Sequence, residues 1–195
     1  MSRSRPGSRL LTILVAGLLA IGGWQVWEGS WIYAKARLAQ FLLQRAWSRA
    51  LAGEPMPKPW PWADTWPIAR LRLQARAVDL IILAGAHGRT LAFGPGHVSS
   101  SALPGETGTM IMTGHRDTHF RFLKETHPND QLDLTGHDGI TRHYRITDQR
   151  IMDSRRDVIQ TGSDRQDLVL VTCFPFEALQ AGGPLRYVVR AERVY

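Results

Sequence analysis

Apolar residues recur with a period of two from Ala69 to the C-terminus, and this pattern constrains the fold more than any other feature. The apolar runs are short, and glycine, aspartate or proline turns separate them about every 8–12 residues. The runs are ARLRLQ, VDLIILAG, GTMIMTG, QLDLT, ITRHYRI, DLVLVTC and RYVVRAERV. Short strands with frequent turns predict an all-β barrel or sandwich. The sequence has no internal repeat and no alternation of strands with helices.

Residues 1–33 have the composition of a membrane signal-anchor. An uncharged stretch of 17 residues, Leu10–Val26, lies at the lower end of the length that spans a bilayer. Tryptophans follow it, and three basic residues precede it: Arg3, Arg5 and Arg9. The pattern predicts a single transmembrane helix in the inner membrane, with its N-terminus in the cytoplasm and the rest of the chain on the periplasmic side. The alternatives are a cleaved signal peptide, with Ala20 and Gly22 near the cleavage site, and a buried core helix.

Residues 34–67 are predicted to connect the anchor to a barrel domain at residues 68–195. Lys35–Ala52 has the spacing of an amphipathic helix, and Gly53 ends it. The following segment is rich in proline and tryptophan, which predicts an extended linker. The net charge is +7, but no basic cluster is interleaved with aromatic residues. A membrane is therefore the expected partner, and a nucleic acid is not.

Cys173 is the single cysteine in 195 residues, so the chain can form no internal disulfide and no cysteine-based zinc knuckle. It ends the apolar run that begins at Leu168, and Pro175 stops the strand shortly afterwards. A buried cysteine is often only a small hydrophobe. Exported domains, however, usually hold their cysteines in pairs, so an unpaired one at a strand end is a candidate nucleophile.

A cysteine nucleophile needs a base, and the chain has seven histidines. His115 follows the apolar run GTMIMTG and so emerges at a strand end, as Cys173 does. The others have less suggestive positions, since His137 and His143 are expected at the surface of a hairpin. His87 and His97 lie in glycine-rich loops.

A metal site at His115 and His119, with Asp117 and His127 nearby, is a competing interpretation. The zinc-protease signature places a glutamate directly after the first histidine, on a helix. Arg116 occupies that position, and the setting is a strand followed by a loop. No metal site is therefore predicted.

Three ordered motifs resemble the sortase family: TGHRDTHF (113–120), LVTCFPF (170–176) and PLRYVVRAE (184–192). The segment WPWAD (60–64) is similar to one in the sortase branch found in Gram-negative bacteria. The resemblance implies a closed eight-stranded β-barrel with short helices, preceded here by the predicted transmembrane helix. It also implies that Cys173 is the nucleophile, His115 the acid/base, and Arg186 the residue that assists the oxyanion or orients the substrate.

Two of these assignments rest on the resemblance more than on the local pattern. Thr172 matches the family's threonine, and its backbone is expected to help shape the oxyanion hole and the substrate site. Arg186 lies on an alternating strand, where Arg190 and Arg193 have the pattern of solvated surface residues. Without the motif, Arg186 would be interpreted in the same way.

The activity that the resemblance implies is that of a membrane-anchored cysteine transpeptidase without a cofactor. Its partners would be an exported protein with a C-terminal sorting signal and an amine acceptor, joined through a thioester acyl-enzyme. An exported cysteine hydrolase would use the same pair but release a free acid. A membrane-tethered binding barrel with an inert Cys173 is the non-enzymatic alternative.

Overall fold

The structure is a computed structural model that describes residues 6–162, 164, 166–178 and 182–195. The chain divides into two compact units, Met1–Gln40 and Phe41–Tyr195. Arg3 and Arg5, two of the basic residues of the predicted anchor, lie outside the described residues.

Helix α1 (Pro6–Leu51) contains the segment predicted to cross a membrane. Among the described residues, however, no helix has a stretch both long and apolar enough to do so. The predicted transmembrane helix is therefore not supported. The uncharged stretch has only 17 residues, at the lower end of the length that spans a bilayer.

In the second unit, the last turns of α1 pack on the barrel. Leu43, Trp47 and Ala50 form a small buried cluster with Ile81 and Leu83. The helical spacing seen in the sequence is explained by this contact, because it buries one apolar face. The linker that follows is held in part by aromatic packing, since the ring of Trp60 meets that of Phe93 edge-on at 4.8 Å.

Eight strands form a closed barrel in the order β1-β2-β3-β4-β7-β8-β6-β5. The strands are β1 (Pro67–Leu73), β2 (Val78–Ala84), β3 (Gly96–His97), β4 (Gly108–Thr113), β5 (Gln131–Gly136), β6 (Thr141–Asp153), β7 (Gln166–Cys173) and β8 (Leu185–Val194). A short helix α2 (Gly88–Leu91) and two 3-10 turns (Gln74–Arg76 and Arg121–Glu125) lie between them.

The barrel confirms the all-β prediction and excludes the sandwich. Seven strands correspond to the seven apolar runs seen in the sequence. The eighth, β3, has only two residues, which is too short to carry an alternating pattern. It nevertheless joins β2 to β4, pairing in parallel with β2 and antiparallel with β4, and so closes the barrel.

Strand β7 is buried on both faces because two apolar clusters meet it. Leu168 and Leu170 belong to the large cluster that fills the barrel. Val169 and Val171 belong to a second cluster on the outer face, with Ile111, Met152 and Val188. Side chains alternate along a strand. Thr172 therefore faces inward, and Cys173 faces outward at the end of the outer cluster.

Candidate active site

Cys173 is the last residue of β7 and is partly exposed. Its strand pairs antiparallel with β8, and the residue directly opposite is Arg186. Residues opposite each other share one face of the sheet, with Cβ atoms about 4.5–5.5 Å apart. The barrel therefore sets an arginine beside the thiol.

His115 reaches the same edge of the barrel from the other neighbour of β7. Strand β4 runs parallel to β7, with Thr113 paired to Val171, so both strands end together. Gly114 continues this pairing, because its N–H donates to the Val171 carbonyl at 3.2 Å. His115 is the next residue and is exposed. The acid/base and nucleophile candidates thus come from adjacent strand ends, as the sequence patterns predict.

Thr172 faces the barrel interior and is 1% exposed. Its hydroxyl donates to the Gly114 carbonyl at 2.7 Å. The side chain thereby ties the residue before Cys173 to the residue before His115. A contact between this side chain and substrate does not fit such burial, whereas the expected role of its backbone at the oxyanion site stays a prediction.

Arg186 is partly buried at the start of β8. Its Nη1 donates to the carbonyls of Gly183 at 2.6 Å and Leu185 at 2.9 Å. A guanidinium carries five donors in a planar fork. One nitrogen holds the connection before β8, and the guanidinium carries a permanent positive charge.

Arg116 is a candidate site residue that the sequence patterns do not single out. It is 6% exposed, although it directly follows the exposed His115. Its Nη1 donates to the Pro175 carbonyl and its Nη2 to the Ala178 carbonyl, both at 2.6 Å. Its Nε donates to the Asp117 carboxylate at 3.2 Å. The only sequence signal is its position between the histidine and aspartate of TGHRDTHF.

The other histidines have different surroundings. Burial lowers the pKa of His119, and the nearby His115 lowers it further. His137 and His143 are exposed, as predicted, and His143 lies 2.7 Å from the Asp133 carboxylate. His97 is buried in β3, and this burial lowers its pKa. Within the described ranges, no group of three or more His, Cys, Asp or Glu residues could hold a metal ion.

Arg190 differs from the solvated residue that its pattern predicts. Its Nη1 lies 2.9 Å from the carboxylate of Asp167, which is buried in β7, and its Nη2 donates to the Gln160 carbonyl at 3.1 Å. Arg193, by contrast, lies over the ring of the exposed Tyr195 at the end of β8.

A cavity of about 910 Å³ lies away from this constellation. Trp66, His97 and Leu103 are among its lining residues, whereas Cys173, His115 and Arg186 are not. Cys173 lies instead at the end of the outer apolar cluster, which is buried and which Ile159 from the β6–β7 connection and Val98 also contact. This cavity is therefore separate from the candidate catalytic residues, which lie at the end of β7.

Comparisons with known proteins agree with this geometry. A family model for the sortase domain matches residues 71–194. Sortase D of Bacillus subtilis (strain 168) is 34% identical over 117 residues, which are 60% of this chain and 58% of that protein, so the chain spans less than two thirds of its length.

Solved structures share the fold. A sortase D5 transpeptidase of Clostridium perfringens superposes with a TM-score of 0.66, covering 82% of this chain and 99% of that one. Its identity is 21%, so the likeness is one of fold. Sortase C-1 from Actinomyces oris has a TM-score of 0.59 and 28% identity, covering 66% of this chain and 73% of that one.

Proposed function

This chain belongs to the sortase family, whose members are cysteine transpeptidases, and we propose that it cleaves a sorting signal and transfers the acyl group to an amine. One observation carries the proposal. The only cysteine ends a strand whose two neighbours contribute Arg186 directly opposite it and His115 just beyond the adjacent strand end.

The reaction has two steps. In the first, the Cys173 thiolate attacks the carbonyl carbon of the scissile peptide bond. The C–N bond breaks, His115 gives a proton to the leaving amine, and a thioester remains on Cys173. In the second, His115 takes a proton from an incoming amine, which attacks the thioester and regenerates the thiolate. Water in place of the amine yields a free acid.

Arg186 is proposed to stabilise the negative charge that develops on the carbonyl oxygen, or to orient the substrate. A fixed guanidinium at the edge of the barrel stabilises an oxyanion more than water does, because it needs no reorganisation during the reaction. The contacts with Gly183 and Leu185 support this role, since they hold the side chain at the start of β8.

The sorting-signal peptide is proposed to reach Cys173 at the end of β7, where Cys173 and Arg186 are partly exposed and His115 is exposed. The outer apolar cluster behind them is already buried, since Val169 is 0% exposed and Val171 and Ile111 are each 9% exposed. The peptide is therefore expected at the end of the barrel and not along the outer cluster.

We also propose that the barrel acts outside the cytoplasm, on exported proteins, as family membership suggests. In such a compartment structural cysteines are usually paired, so the unpaired Cys173 would fit a reactive thiol there. The narrower assignment to the branch found in Gram-negative bacteria rests on the WPWAD segment and remains a proposal.

A peptide-library cleavage profile, measured with and without an added amine, tests the proposed function. We expect a thioester on Cys173 by intact-mass spectrometry and an amide product only when amine is present. Free acid in both conditions would identify a hydrolase instead. Absence of both thioester and cleavage, together with no alkylation of Cys173 by iodoacetamide at neutral pH, would favour a binding barrel.

A further inference from the structure

Two side-chain hydrogen bonds link the loop that carries His115 to the strand end that carries Cys173. The first precedes both residues, since the Thr172 hydroxyl donates to the Gly114 carbonyl at 2.7 Å. The second follows both, since the Arg116 guanidinium donates to the Pro175 carbonyl at 2.6 Å. His115 and Cys173 therefore lie between the same two cross-links.

The second link involves a charged group in an unusual setting. Arginine is seldom buried unless it is paired, and Arg116 is only 6% exposed. Its partner carboxylate, Asp117, is itself 68% exposed. The two terminal nitrogens donate to separate main-chain carbonyls, of Pro175 and Ala178, in the connection that follows Cys173.

This geometry restrains the loop more than one hydrogen bond could. A planar fork with two donors fixes direction as well as distance. The preceding residue, His115, is exposed, and its carbonyl accepts a hydrogen bond from the Phe120 N–H of the same loop at 3.0 Å. Its position relative to Cys173 therefore depends on the residues on either side of it.

We propose that Arg116 is a positioning residue that holds His115 against Cys173. The inference rests on the proposed function, because it assigns a support to the acid/base of that reaction. Arg116 does not touch the reacting atoms in this role. It acts through the main chain of its own loop and of the connection after β7.

The test is a double-mutant cycle between Arg116→Met and His115→Ala, read out as single-turnover thioester formation with saturating peptide. A small misplacement of a catalytic group costs about 10²-fold in rate, so Arg116→Met should slow acylation by about that factor in the presence of His115. In the His115→Ala background, the same substitution should cost little more, because two residues that act through one another are not additive.

Further measurements separate positioning from a general structural effect. The peptide concentration at half-saturation should stay unchanged in Arg116→Met, and Arg116→Lys should recover part of the rate because it can reach one carbonyl. Arg121→Met is the matched control, since Arg121 is an exposed arginine that lies, like Arg116, in the connection between β4 and β5. If Arg116→Met fails to fold, the cycle is run with Arg116→Lys.

Equal losses in both backgrounds would overturn the proposal, as would a raised half-saturation concentration with an unchanged maximal rate. If the wild-type chain forms no thioester, the proposed function fails, and the same cycle is read from the rate of Cys173 alkylation by iodoacetamide. Cys173 is the only thiol that can react. Coupling between Arg116 and His115 in the alkylation rate supports a positioning role for Arg116. Absence of coupling excludes that role.

Discussion

Cys173 and Arg186 lie directly opposite each other in the antiparallel pairing of β7 and β8, on the outer face of the barrel. This register sets an arginine, whose side chain is permanently charged, opposite the only thiol of the chain. Their separation along the sequence does not predict it, because it depends on how the connection between the two strands folds.

Cys173→Ala should form no thioester and cleave no peptide while folding normally, because the side chain is partly exposed and small. His115→Ala should lose about 10²–10⁴-fold in rate, the range for general acid–base catalysis. His119→Ala and His143→Ala should keep most activity. An equal loss of activity in His119→Ala and His115→Ala would instead favour the metal-site hypothesis, which a chelator assay should then test. Peptide cleavage and intact mass are the measurements.

Arg186→Ala should slow thioester formation about 10²–10³-fold, which corresponds to about 2.7–4 kcal/mol for one oxyanion donor. Arg186→Lys should recover part of this, because it keeps the charge but loses the planar fork. Arg193→Ala is the control, since Arg193 lies over Tyr195 away from this edge. Single-turnover acylation is the measurement. If Arg186→Ala and Arg193→Ala acylate equally fast, the active site reduces to Cys173 and His115.

Thr172→Val should both destabilise the barrel and slow acylation. The substitution keeps the shape of the side chain but leaves the Gly114 carbonyl without its hydroxyl donor. An unsatisfied buried acceptor costs about 1–3 kcal/mol. Thr172→Ser retains the hydroxyl and should restore most of the loss. Urea unfolding and single-turnover acylation measure the two effects, and identical behaviour of the valine and serine variants would contradict this role.

Arg190→Ala should lower stability without a matching loss at the active site. It leaves the buried carboxylate of Asp167 without its ion-pair partner. Because Arg190 itself is partly exposed, the expected cost is about 1–3 kcal/mol rather than that of a fully buried pair. Urea unfolding should show the loss in Arg190→Ala and not in Arg193→Ala. An unchanged midpoint would mean that solvent replaces the pair.

Stability should fall as pH drops from about 7 to 5, and His97 should account for part of that fall. Burial lowers the pKa of His97 below the unfolded value of about 6.5, so the unfolded chain binds more protons in this window. The contribution of His97 to the free energy of unfolding is full above the pKa of the unfolded chain. It is lost as pH falls through the lower pKa of the folded state.

His97→Gln should therefore flatten this part of the profile of unfolding free energy against pH. Some slope should remain, because burial and His115 also lower the pKa of His119. His137→Gln is the control, since His137 is exposed. An unaltered slope in His97→Gln would show that His97 does not titrate with folding.

The sequence alone determined the class of fold and the candidate catalytic residues. Seven strands could be predicted because side chains alternate between the two faces of each strand, and this periodicity is local. Cys173 and His115 could be singled out because each lies at the end of an apolar run. Arg186 could be identified only through its motif. The apolar N-terminal stretch, in contrast, led to a transmembrane prediction that the described helix does not support.

Only the tertiary structure decided which residues meet. The two-residue strand β3 carries no periodic signal, yet it closes the barrel between β2 and β4. The contacts of Arg116 with Pro175, and of Arg190 with Asp167, join segments that are far apart along the chain. Such contacts depend on strand order and register, which closure of the whole barrel sets. A local pattern of apolar and charged residues does not predict them, because the sequence around a buried arginine need not differ from that around a solvated one.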